Sequence, residues 1–218
     1  MRQVRRTCRN IAMNDRSDLI EEIIRIEYAM LGRVHNLGGP AACQEQCDAF
    51  HLVRKSQFLT WSDALLESYA RDLEDAEALG RNLVFEKYAW MMQPALPVEF
   101  AKVRHVLPDL SPERVARQEE TIAVHKGWDE DFARRYPALS GRGRPLYTSE
   151  DTPASTSMET YLRGELSSYS DRTEQLYHDF VAACAAAGRN LTTEAREHQL
   201  RLEGWASLDA AEHALQAK

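Results

Sequence analysis

Apolar residues recur along this chain at three- and four-residue intervals, with polar residues between them and no sustained alternation. That period belongs to α-helices; strands repeat every two residues. The pattern predicts a first helix over Asp15–Val34, with a broad face of Leu19, Ile20, Ile23, Ile24, Ile26, Met30, Leu31 and Val34, capped by Asp15 or Ser17. Gly32 and Gly38-Gly39-Pro40 end it and turn the chain. A second helix is expected over Ala42–Trp61. A third starts at Thr60, with Asp63 as a capping-box-like partner, carries Leu65, Leu66, Tyr69, Leu73 and Ala76, and stops at Gly80.

Leu83–Met92 is apolar all the way round, which marks a buried helix. Pro94 and Pro97 close it, and Pro97 also suits the first turn of a short helix, Val98–Val106. Ser111-Pro112 opens a helix to about Lys126, with Trp128–Tyr136 continuing it beyond Gly127. Pro137–Ser155 is the longest irregular stretch, and loops of that length are usually functional or disordered. Thr156 with Glu159 reads as a capping box for the next helix, and Ser170 restarts a helix that ends at Gly188. Thr193–Leu202 and Leu208–Leu215, the latter capped by Ser207, complete the chain. The expected fold is all-α: an irregular helical bundle forming a single domain over 15–218, preceded by a basic N-terminal arm over 1–14.

Some charged residues contradict this pattern. Glu27 projects from the middle of the first helix's apolar face, in line with Ile23 and Met30. Arg54 and Gln57 share a face with Cys43, Cys47, Phe50, Phe58 and Trp61, and Glu165 lies among Met158, Tyr161, Leu162, Leu166 and Tyr169. Glu86 and Lys87 sit on the helix that has no polar side. A guanidinium in an apolar stripe needs acids or an anionic ligand, so these groups are expected to converge. Glu27 and Glu165 become candidate general acids or bases, with pKa values raised by burial, and Tyr161 a proton donor. Arg54 and Gln57 become substrate ligands, with Glu86, Lys87, Tyr88 and Arg163 around them. Cys43 lies near a helix start, where the dipole favours a thiolate nucleophile, although most cysteines in such places are buried and inert. The structural alternative for the whole set is a buried ion-pair network that fixes helix register.

Composition narrows the function classes. The net charge of −7 argues against bulk binding to nucleic acid or an anionic membrane, and no apolar run approaches a membrane span. Four cysteines in 218 residues do not make a disulfide framework, which suggests a cytoplasmic protein with free thiols. No HExxH, paired CxxC, Walker loop or GxGxxG is present, so no metal ligand set is assigned and the cofactor is unknown. Arg134, Arg135, Arg142 and Arg144 either gate an anionic substrate or are solvated charge.

Several blocks in order, HNLGGPAACQ, RKSQFLTW, GRNLVFEKYAWMM and TSMETYLRGELSSYS, resemble the bacterial and archaeal family catalogued as domain of unknown function 4125. The resemblance runs from about Glu27 to about Glu212. It implies that Gly38, Gly39, Cys43, Gln44, Arg54, Gln57, Arg81, Asn82, Lys87, Tyr88, Glu159, Tyr161, Arg163 and Glu165 belong to the family pattern. His35 and His51 do not match it, which counts against a histidine-dependent mechanism. The family implies no reaction.

Two functions are therefore expected. The first is a small-molecule-modifying, biosynthetic enzyme with a buried Arg/Glu/Tyr pocket for a small polar ligand bearing a carboxylate or an amine. The second is a non-catalytic helical module that binds a ligand or protein. Neither involves nucleic acid or a membrane, and a homodimer is possible.

Overall fold

The structure, a computed structural model, describes residues 16–34 and 46–217. The basic arm, Asp15, the His35–Pro40 turn, Cys43 and Gln44 lie outside the described residues. Eleven α-helices are present among those described, and no strand beyond an isolated bridge between Thr152 and Ser155. They are α1 (Arg16–Leu31), α2 (Cys47–Phe58), α3 (Asp63–Ala78), α4 (Leu83–Ala95), α5 (Pro97–Val103) and α6 (Pro112–Arg135). Then come α7 (Pro137–Ser140), α8 (Met158–Ser168), α9 (Asp171–Ala186), α10 (Leu191–Leu202) and α11 (Leu208–Gln216). The all-α expectation is met.

Helix starts follow capping chemistry in most cases, with corrections. Helix α2 runs from Cys47 to Phe58 rather than from Ala42 to Trp61, with no side-chain cap at Gln46. Helix α10 starts at Leu191 behind an Asn190 cap rather than at Thr193, and two serines cap where threonines were expected. The third helix is capped by Ser62, whose oxygen accepts from the Leu65 N–H; Thr60 instead turns its hydroxyl onto the Gln57 carbonyl. The eighth is capped by Ser157, not Thr156, and Glu159 takes the Thr148 N–H rather than closing a capping box. Both misplacements have one cause: neighbouring Ser and Thr residues compete for the same role. Gly127 does not interrupt α6, and the fourth helix passes through Pro94 to Ala95, where only the last turn loses a hydrogen bond.

The main core gathers α1, α3, α4, α8 and α9, with Phe58 from α2, Ile122 from α6 and Leu191 from α10. Helix α1 buries Ile20, Ile23, Ile24, Met30 and Leu31 at its centre. Each such side chain contributes about 1.5–3 kcal/mol on burial. That offsets the presence of Glu27 on the same face.

Helices α4 and α8 cross closely. A Cβ on Gly164 would lie 2.6 Å from Met91 Cγ and 2.7 Å from the Lys87 carbonyl oxygen. Only glycine permits this approach, and it brings Lys87 beside Glu165.

A second, smaller core forms where Phe132 and Tyr136 at the end of α6 meet Leu200, Leu208 and Ala211. The Pro137–Ser155 stretch is held by defined hydrogen bonds. Glu212 accepts from the Ala138 and Leu139 N–H groups at 2.8 and 2.9 Å, and Asp151 accepts from Ser157 N–H and the Thr160 hydroxyl at 2.6 Å.

Candidate functional site

Glu27, Arg54 and Glu165 meet in the main core. Arg54 is 3% exposed, Glu27 3% and Glu165 1%. The Arg54 fork grips Glu27 with Nε to Oε2 at 2.8 Å and Nη2 to Oε1 at 2.6 Å. Its Nη1 donates to Glu165 Oε1 at 2.8 Å and to Gln57 Oε1 at 2.7 Å. The convergence required by three polar groups on three apolar stripes is thus found, with both carboxylates on one guanidinium.

The sequence signal did not extend to the outer members of this cluster. Tyr69 donates its hydroxyl to Glu27 Oε1 at 2.6 Å, and Tyr169 to Glu165 Oε1 at 3.0 Å. The Phe58 ring lies under the guanidinium at 4.5 Å, and Trp61 packs edge-on to Phe58. Tyrosines on apolar faces read as core in a sequence, because a buried hydroxyl leaves no mark in the periodicity. Burial first, and then the neighbouring carboxylates, hold the Tyr69 and Tyr169 phenols well above their ordinary pKa, so both remain neutral donors.

Lys87 completes the cluster from α4. Its Nζ donates to Glu165 Oε2 at 3.0 Å and lies 3.7 Å from the centre of the Tyr161 ring. The Arg144 guanidinium stands over that same ring at 4.9 Å and donates to the Thr156 carbonyl at 3.0 Å. Tyr161 therefore sits at the edge of the cluster, contacted by one buried and one exposed cation.

The electrostatics overturn one expectation. Burial alone pushes the Glu165 carboxyl up, but the charges of Arg54 and Lys87 and the hydrogen bonds they donate outweigh it. The carboxyl is held well below the usual carboxylate range. It is a fixed anion, not the raised-pKa acid anticipated from burial. Arg54 is likewise engaged on every side by the protein's own acceptors. A substrate carboxylate would have to displace Glu165 or Gln57 to reach it, and in this structure Arg54 organises the cluster.

Other candidates go elsewhere. Glu86 pairs with Arg81, accepting from Nε at 2.9 Å and from Nη2 at 2.7 Å, and does not join Lys87. Adjacent residues on a helix point about 100° apart, and a helix apolar all round gives no hint of the direction. Arg163 is two residues from Glu165 and so faces away, donating to Glu119 at 2.6 and 2.8 Å, to Glu159 and to Thr148. Tyr88 packs against the main core. Cys43, the candidate nucleophile, lies outside the described residues; Cys47 is an exposed free thiol and Cys184 a buried one. His51 is a rim residue, 2.7 Å from Glu21.

Sequence reasoning also missed a second set of buried polar groups. Arg114 donates to the Leu166 and Tyr169 carbonyls at 3.0 and 2.7 Å, closing the end of α8, and Arg117 pairs with the fully buried Glu174. These are helix-end and inter-helix contacts that hold α6, α8 and α9 together. Among the described residues no three His, Cys, Asp or Glu side chains gather as metal ligands would, and no helix is long and apolar enough to cross a membrane.

No curated protein and no solved structure matches this chain. A family model does, over residues 17–213, and its description is "Protein of unknown function (DUF4125)". Since that span reaches from α1 into α11 and holds all the described members of the cluster, the chain belongs to the DUF4125 family.

Proposed function

We propose that the edge of the Arg54 cluster, where Lys87, Tyr161 and Arg144 meet, binds a small molecule bearing a carboxylate or phosphate. One observation carries this reading: the local charge is unbalanced in a protein that is acidic overall. Arg54, Lys87 and Arg144 supply three positive charges against the two of Glu27 and Glu165, while the whole chain carries −7. Lys87 has an 11% exposed side chain and three N–H donors, one of which goes to Glu165 among the described residues. The ammonium lies over the face of the Tyr161 ring, and its other donors are the ones this reading assigns to the ligand. Arg54, Glu27 and Glu165 act behind them as a rigid, desolvated frame that fixes the position of the ammonium.

Catalysis is the second reading, favoured by the same lysine. An ammonium held between a permanently ionised carboxylate and a ring is oriented as a proton donor at its exposed edge. Lys87 would then carry the acid step that Glu27 or Glu165 was expected to carry.

Thermal-shift and calorimetric titrations with small mono- and dicarboxylates and inorganic phosphate test the proposal. At least one anion class is expected to stabilise the protein, with the effect lost in Lys87→Met and Arg144→Ala. Lys87→Arg should retain binding, and for a catalytic lysine it should lose turnover. No stabilisation by any of these anions, or equal stabilisation in the two variants, would remove this site.

A further inference from the structure

A second surface has the opposite character to the closed cluster. Between α6, α7, α10 and α11 lies a cleft of about 320 Å³, in the lower range of small-molecule pockets. Phe132 and Leu200 of the small core form its floor, and Trp205, 37% exposed, forms one wall. Two guanidiniums face this apolar volume. Arg196 is half-buried and donates from Nη1 to Gln199 Oε1 at 2.9 Å. The two carboxylates that act on it do so only through space. Asp129 is engaged by the Thr192 hydroxyl at 2.7 Å, and Glu203 by Gln199 Nε2 at 3.0 Å. Burial holds the Arg196 pKa below its ordinary value against the pull of those acids, which is the mark of a desolvated cation short of acceptors.

Arg142 brings the second guanidinium from the turn after α7 and makes no ion pair among the described residues. The turn lies in contact with Arg196: a Cβ on Gly143 would stand at van der Waals distance, 3.5 Å, from Arg196 Nη2, and 3.3 Å from the Ser140 carbonyl oxygen. The same turn carries Arg142 into the lining of the cleft that Arg196 also lines. Successive arginines of the loop serve different places, Arg142 this cleft and Arg144 the Tyr161 ring.

We propose that this cleft is a separate ligand site for a small amphipathic monoanion, an aromatic or branched aliphatic carboxylate. Its apolar part rests on Phe132, Leu200 and Trp205, and its carboxylate lies between Arg142 and Arg196. Charge selects the class. Two arginines and Glu203 line the cleft, leaving one net positive charge, which suits a monoanion better than a dianion. The planar guanidinium fork matches a carboxylate bidentately. The floor gives no hydrogen-bonding group to a fully polar ligand.

The test uses the full chain, with benzoate and inorganic phosphate as probes. Trp205 reports occupancy through its fluorescence, with Trp205→Phe assigning the signal, and saturation-transfer NMR on benzoate gives a readout independent of tryptophan. Benzoate is expected to produce a saturable change, and phosphate little. Arg196→Gln and Arg142→Gln are each expected to weaken benzoate binding at least about tenfold, the equivalent of one charge-assisted hydrogen bond. Lys87→Met should leave the Trp205 signal unchanged, so failure here and failure at the Tyr161 edge are distinguishable. Arg142 is exposed, so its variant keeps the test valid should Arg196→Gln disturb folding. No saturable benzoate signal, tighter binding of phosphate than benzoate, or wild-type affinity in both arginine variants would overturn the proposal.

Discussion

Arg54 and Arg196 are the same residue type in two regions of one molecule, and their surroundings give them opposite roles. Arg54 is enclosed by two carboxylates, an amide and an aromatic ring, with water excluded. Arg196 borders a cleft, touches one amide and meets no acid within ion-pairing distance among the described residues. Removing one partner from an enclosed network leaves the others buried and uncompensated, whereas removing a cation from an open cleft leaves nothing stranded. Oddness in an apolar stripe therefore marks an organising residue, and a lack of acid partners marks a receptive one.

The largest effect should come from the enclosed region. Arg54→Ala strands Glu27 and Glu165 and is expected to cost about 3–5 kcal/mol, a fall in melting temperature on the order of 10 °C. Calorimetry that found it as mild as a surface change would erase the distinction between the two regions. Next in size is the helix crossing behind the cluster. Gly164→Ala drives a methyl into Met91 and the Lys87 carbonyl and should cost about 1–3 kcal/mol, although alanine is the better helix former. Chemical denaturation checks it, and an unchanged midpoint would mean that α4 and α8 separate freely.

Acid sharpens the comparison further. The folded protein holds the Glu165 carboxyl far below its ordinary pKa, so the unfolded chain takes up a proton that the folded chain refuses. That contribution is complete above the unfolded carboxylate pKa of about 4.3 and is lost progressively as pH falls below it. Glu165→Gln should lower stability at neutral pH and flatten the decline below about pH 5. Parallel stability curves for wild type and variant through that range would contradict the assignment. The smallest effect belongs to the open region: Arg196→Gln, without ligand, should change stability by less than about 0.5 kcal/mol in the same assay. A loss of several kcal/mol would place Arg196 with Arg54 among the structural residues.

The legible parts of this molecule were those where a residue conflicts with its position. Glu27, Arg54 and Glu165 stand out against apolar stripes, and the sequence therefore foretold their meeting. The helices themselves were legible from period and caps, to within one or two residues at Ser62 and Ser157 but five residues off at the start of α2, where no capping side chain marks Cys47. Tyr69 and Tyr169 conflict with nothing and stayed hidden, although their hydroxyls complete the acids' coordination. Glu86 conflicted as strongly as Lys87 but was satisfied by Arg81 five residues away, a pairing that no periodicity distinguishes. Gly164 did carry a signal: a glycine in mid-helix is costly unless a neighbour presses on it. Arg196 carried none, because an exposed-looking arginine becomes special only when the helices around it leave it without an acid in ion-pairing distance.

The unbroken run of α6 through Gly127 has a consequence for local opening. Ile122, Val124 and Trp128 belong to the main core and Phe132 to the small one, so a single helix spans both. Gly127 has nothing within 4 Å of its Cβ position and lies between Val124 and Trp128, just over one turn before the helix passes to the small core at Phe132. The last two turns of α6 can fray as a unit with α7 and α11 while the first half stays shut. Backbone amides from Asp129 to Arg135 should exchange with deuterium well before those from Gln118 to His125. Benzoate seated on Phe132 should slow only the faster set, turning the helix into a two-segment gauge in which each half reports on its own core.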